Sequence, residues 1–91
     1  MNAAEMFEHH DDEYGKFELI RFKRSRRPDL HAFILLDMLF PGSTDVVSCA
    51  EHDQFWLFPD SDDIDCLSEE SIIELIRCGV MYDEGSLTIF A

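Results

Sequence analysis

The sharpest hydrophobic pattern in the chain lies between residues 67 and 79. Ile72, Ile73, Leu75 and Ile76 recur at helical spacing and predict a buried stripe. Ser68 precedes them as an N-cap, with Glu69 and Glu70 in the first turn, where the helix dipole favours negative charge. Leu67 is placed to pack on Ile72 as a hydrophobic staple. Arg77 falls in the last turn, and Gly79 can take the left-handed conformation that ends a helix. The pattern predicts a helix over 68–78. Asp83-Glu84-Gly85 then predicts a turn into a final strand, Leu87–Phe90.

Upstream the pattern is less regular. Met6, Phe7, His10 and Tyr14 at helical spacing, with Asn2 as N-cap and Gly15 as stop, predict a short helix within 2–14. Residues 16–24 alternate and are rich in Phe and Ile, which predicts a strand. Arg26-Arg27-Pro28-Asp29 predicts a turn. The nearly continuous apolar run 30–39 predicts a central strand buried on both faces, although a run of this kind also suits a helix. Pro41-Gly42-Ser43 predicts a turn. Residues 45–50 and 54–58 predict two short strands joined by Glu51-His52-Asp53, and 59–63 a loop. The expected class is α+β: one domain over 1–91, with a mostly antiparallel sheet of four to five strands and one principal C-terminal helix.

Composition supports a folded chain. Hydrophobic residues make up 46%, and eight Phe, two Tyr and one Trp are too many for a disordered acidic tail. The longest apolar run, Ala32–Leu36, stops at Asp37, far short of the ~20 residues of a membrane span. The N-terminus lacks the basic region of a secretory signal. Three widely spaced cysteines, Cys49, Cys66 and Cys78, make no disulfide framework. A reducing cytoplasm is the expected compartment.

Charge changes the picture most. Asp and Glu number 20 and Lys and Arg 7, a net charge of −13. Arg21, Lys23, Arg24, Arg26 and Arg27 fall in one short run, so the chain is an acidic body with one basic spot. Arg suits phosphate, and Phe22 is interleaved, but a body this acidic is repelled by nucleic acid. The run more simply offsets nearby carboxylates or blunts a strand edge. Direct nucleic-acid binding is not expected. Asp60, Asp62, Asp63, Asp65, Glu69 and Glu70 form a stretch without a base. It fails as a calcium loop, because an EF-hand needs Gly and Glu where Asp65 and Ser71 stand. Carboxylates along a ridge can instead imitate a phosphate track and occupy a basic channel. Asp11, Asp12 and Glu13 extend the candidate surface.

Other clusters carry less. His9-His10-Asp11-Asp12-Glu13 has ligand-type side chains, but neighbours in sequence do not converge on one ion without a fold around it. His52 between carboxylates, near Cys49, has the elements of a base and a nucleophile without a surrounding signature. Phe55-Trp56-Leu57-Phe58 reads as core on alternate positions more readily than as an interface anchor. No metal, cofactor or catalytic residue is expected.

The block Arg77–Phe90, Arg-Cys-Gly-Val-Met-Tyr-Asp-Glu-Gly-Ser-Leu-Thr-Ile-Phe, resembles the end of small uncharacterised proteins of bacteriophages and prophages. Size, acidity and the lack of catalytic motifs resemble phage-encoded inhibitors of host defence, including anti-CRISPR proteins and DNA mimics. The resemblance implies a non-enzymatic inhibitor whose acidic ridge covers a basic, nucleic-acid-handling protein surface. The alternative is an oligomeric structural or accessory phage protein whose acidity serves solubility alone. A metal-dependent enzyme using His9, His10 or His52 ranks third.

Overall fold

A computed structural model describes residues 2–42, 45–59 and 61–90. Asp60 and the last residue of the turn expected at Pro41-Gly42-Ser43 lie outside the described residues. Helix α1 (Ala3–His9) leads into a 3-10 turn (Asp11–Glu13) and a second one (Phe17–Leu19). Helix α2 (Pro28–Leu39) precedes the hairpin β1 (Val47–Glu51) and β2 (Gln54–Leu57). Helices α3 (Ser61–Asp65) and α4 (Glu69–Arg77) lead to the hairpin β3 (Val80–Asp83) and β4 (Ser86–Phe90). The sheet runs β1-β2-β4-β3 with every neighbouring pair antiparallel. The class is α+β.

Helix α4 forms where its sequence places it. The Ser68 hydroxyl accepts the Ser71 amide at 3.2 Å, satisfying one of the unpaired donors of the first turn. Leu67 and Ile72, the two members of the staple, are both buried. Gly79 closes the helix at φ +93°, and its N–H reaches the Ile76 carbonyl at 3.0 Å. The β3–β4 hairpin turns on Glu84 and Gly85, both at positive φ. Two left-handed residues make the turn whose twist matches the flanking strands. Ile72, Leu75 and Ile76 of α4 meet Val80, Leu87 and Ile89 of the sheet, with Leu36 and Phe7 from the other helices, in a single buried cluster.

Two expected strands are not strands. Residues 28–39 form α2, the longest helix, so the α+β class holds without one principal C-terminal helix. Pro28 stands at the first helical position, where its missing N–H costs nothing, and Asp29 favours the first turn. Leu, Ala and Met dominate the run, with Ile34 its one β-branched residue, and twelve residues exceed the strands of this small sheet. Length and flanking residues outweigh the continuous apolar pattern.

Residues 16–24 also stay out of the sheet. Their amides close locally, Leu19 onto the Lys16 carbonyl at 3.0 Å and Ile20 onto that of Phe17 at 3.1 Å. The alternation buries only Ile20, half-buries Phe17 and leaves Phe22 79% exposed, so it offers the sheet no continuous apolar face. The Lys23 ammonium folds back to the Ile20 carbonyl at 2.9 Å and lies 5.2 Å from the centre of the Phe17 ring. Val80–Asp83, in contrast, is an edge strand that the helix-ending signals around Gly79 obscured. Residues 61–63, expected within a loop, open the short helix α3.

Candidate functional site

Helix α1 starts with a reciprocal cap. Asn2 accepts the Glu5 amide at 2.9 Å and Glu5 accepts the Asn2 amide at 3.2 Å. Among the described residues, four polar contacts then tie the N-terminal segment to residues some sixty positions away. The Ala3 amide donates to Asp65 Oδ1 at 3.1 Å. His10 Nε2 lies 3.0 Å from Glu69 Oε2, and Arg77 Nε donates to Glu13 Oε2 at 2.8 Å. The Gly15 amide reaches the Ile76 carbonyl at 3.2 Å. Residues 3–15 are thereby laid along α3 and α4, and the two acidic segments read separately in the sequence share one side of the molecule.

The expected site residues divide into two groups. Asp65, Glu69 and Glu13 are occupied in holding the segments together. Asp11, Asp12, Asp62 and Glu70 are exposed and form no ion pair among the described residues. Asp63 is exposed on the same short helix. The acidic surface is therefore a structural seam flanked by outward carboxylates.

The bonding has a titration consequence. The Arg77 guanidinium bonded to Glu13 holds its carboxyl below the ordinary 4.5, and His10 does the same for Glu69. Each folded-state value lies below the unfolded one, so the stabilisation is present above about pH 4.5 and is lost as pH falls through the lower value. The thermal midpoint should hold from about pH 7 to 5 and drop below that. The drop should be shallower in the Glu13→Gln/Glu69→Gln variant. An equal slope in both proteins would mean that the seam contributes nothing.

Beside the seam, α1 and β3 enclose a groove of about 580 Å³ that no sequence pattern announced. Phe7, Tyr14, Met81 and Tyr82 line it, and its charged lining residues, Glu8 and Asp11, are both acidic and exposed. The Phe7 and Tyr82 rings lie 5.8 Å apart and form part of its wall. A half-open apolar groove with carboxylates suits a cation carried on an apolar stem, because the stem packs on aromatic carbon while the charge meets carboxylate. Its apolar members come from two distant segments, which hides the groove from a linear reading.

The remaining clusters do not converge. His10 is taken by Glu69, with the His9 ring edge-on to it at 4.7 Å between centres. His52 caps the β1–β2 hairpin at φ +55° and is exposed, as is Cys49 in β1. Cys78 is buried, and burial, reinforced by the Glu74 charge, pushes its thiol up to about 12, so it stays protonated and unreactive at neutral pH. Among the described residues, no group of three or more His, Cys, Asp or Glu is placed to hold a metal ion. No helix among them is long and apolar enough to cross a membrane. Trp56 and Phe58 are half-buried in and after β2, with Phe58 edge-on to Phe40 at 5.7 Å.

The basic run lies on the other flank of α4. The Arg24 amide donates to His31 Nδ1 at 2.9 Å, and His31 Nε2 meets Glu74 Oε2 at 2.9 Å. Glu74 stands about 140° around α4 from Glu69, which holds the N-terminal segment. No protein-family model, curated protein or solved structure matches this chain.

Proposed function

We propose that this protein is a non-enzymatic, cytoplasmic binding protein that covers a basic, nucleic-acid-handling surface of a protein partner, as phage-encoded inhibitors of host defence do. The observation that carries the reading is the joining of two acidic segments into one face by the contacts of Ala3, His10 and Arg77. Asp11, Asp12, Asp62 and Glu70 supply steering toward positive charge. The groove beside them takes an Arg or Lys side chain of the partner, which adds a short-range anchor to a long-range field.

The test uses the tagged protein on lysate of a bacterial host, with a 20-nucleotide single strand as competitor. The protein should retain a nucleic-acid-binding protein, release it as salt rises and release it to the competitor. Reversing Asp11, Asp12 and Asp62 to Lys should abolish retention without lowering the thermal midpoint, since exposed charges contribute little to stability. A partner held equally by the reversed variant, or indifferent to the competitor, would sink the reading.

A further inference from the structure

Helix α2 has an outer face that the fold leaves uncovered. His31, Ala32 and Leu36 are buried on its inner side. Leu30 is 42% exposed and Ile34 38% exposed, although both are large and apolar. Arg27, at the N-cap, and Asp37, near the C-terminal end, are exposed and form no ion pair among the described residues. At ~100° per residue, Leu30, Ile34 and Asp37 fall within about 60° of arc, with Arg27 at the head of the same face.

The order along that face is Arg27, Leu30, Ile34, Asp37, at spacings of three, four and three residues. The spacing reads the same in both directions, while the charge changes sign from end to end. Against a second, antiparallel copy, the register that sets Leu30 opposite Ile34 also sets Arg27 opposite Asp37. Twofold symmetry repeats both pairings. A parallel arrangement would instead face like charge with like.

We propose that α2 is a self-association face, on which a second copy of this chain packs its own α2 antiparallel, with two apolar contacts closed at each end by an Arg27–Asp37 pair. The inference is independent of the acidic-face reading, because it uses other residues. Net charge selects this face as well. Two bodies of −13 repel each other, and the Arg21–Arg27 run adjoining α2 places the chain's main concentration of positive charge at this contact. The face is small beside the ~800 Å² per partner of a lasting interface, so association depends on concentration. Its salt dependence is opposite to that expected of a basic partner. Screening removes body-to-body repulsion, so added salt favours the dimer.

Sedimentation of the full chain over a range of concentrations tests the proposal. A monomer–dimer equilibrium should appear and tighten between roughly 20 and 300 mM salt, where the Debye length falls from about 20 to 6 Å. Ile34→Glu should leave a folded monomer. Arg27→Asp and Asp37→Arg should each weaken the dimer by roughly tenfold or more, because each replaces two attractions with two repulsions. An equimolar mixture of those two variants should recover association, since both cross pairs then join opposite charges. Loss of folding cannot imitate recovery on mixing. A chain that stays monomeric throughout the range, or a mixture no tighter than its components, would overturn the proposal.

Discussion

Ile72→Ala should destabilise the protein by about 2–5 kcal/mol, and Ile76→Ala by a similar amount, while Ile73→Ala should cost less than half as much. The three residues have the same chemistry on one short helix and differ in what they face. Ile72 is fully buried and Ile76 nearly so, but Ile73 keeps part of its surface in water. Truncating a buried isoleucine loses the transfer energy of the removed carbons and leaves a cavity that the surrounding Leu75, Val80 and Leu87 close only in part. A small domain holds about 5–15 kcal/mol in total, so either core variant removes a large share. At this size a loss of ~2 kcal/mol lowers the thermal midpoint by roughly 10 °C. Equal midpoints for Ile72→Ala and Ile73→Ala would mean that the inward face of α4 has been misassigned.

That helix was the part of the fold most legible in sequence, for a physical reason. Its cap, staple, stripe and terminating glycine are all local and point to one answer. Hairpin β3–β4 was readable at its turn for the same reason. Helix α2 was not, because an apolar run without a polar face has no period to distinguish helix from strand. Pro28 followed by Asp29 was the usable signal: read as the start of a helix and not only as the end of a strand, it gives the right element. The failure at 16–24 is of another kind. Alternation of side chains is necessary for a half-buried strand, but the strand must also bury one continuous face, and here Ile20 is buried while Phe22 stands in water.

The candidate site was legible in composition and illegible in geometry. Both acidic stretches stand out in the chain, yet their adjacency depends on Asp65, Glu69 and Arg77 meeting partners from the N-terminal segment. Nothing in a linear pattern separates the carboxylates that hold the seam from those that face water. Once the fold supplies that division, the acidic surface becomes specific. Substitution at Glu13 or Glu69 tests folding, whereas substitution at Asp11, Asp12 or Asp62 tests binding. The groove is subject to the same limit, since Phe7 and Tyr82 become neighbours only when α1 lies against β3.

His31→Ala should destabilise the protein by about 3–5 kcal/mol, a cost comparable with the deepest core positions although the residue is polar. The imidazole is completely buried and satisfied on both sides. The Arg24 amide donates to Nδ1, so that nitrogen is an acceptor and the ring proton sits on Nε2, where it donates to Glu74. The Phe17 ring packs edge-on at 5.7 Å between centres. One side chain thus fastens α2 to α4 and pins the irregular basic segment to both. Removing it leaves the Arg24 N–H without its partner, strips Glu74 of a donor and opens a cavity. His31→Phe removes both hydrogen bonds while keeping an aromatic ring, and its larger ring adds an overpacking cost of its own in a fully buried site. It should cost at least 2 kcal/mol, the price of leaving a partly buried amide and a carboxylate unsatisfied. His31→Asn should be milder than alanine, since its amide oxygen can still accept from Arg24. A double-mutant cycle between His31→Phe and Glu74→Ala should return a coupling energy of about 1–2 kcal/mol, because each variant removes the same bond. If His31→Phe proves neutral and the cycle returns no coupling, His31 acts by ring packing alone and the hydrogen-bonded clasp contributes nothing to the fold.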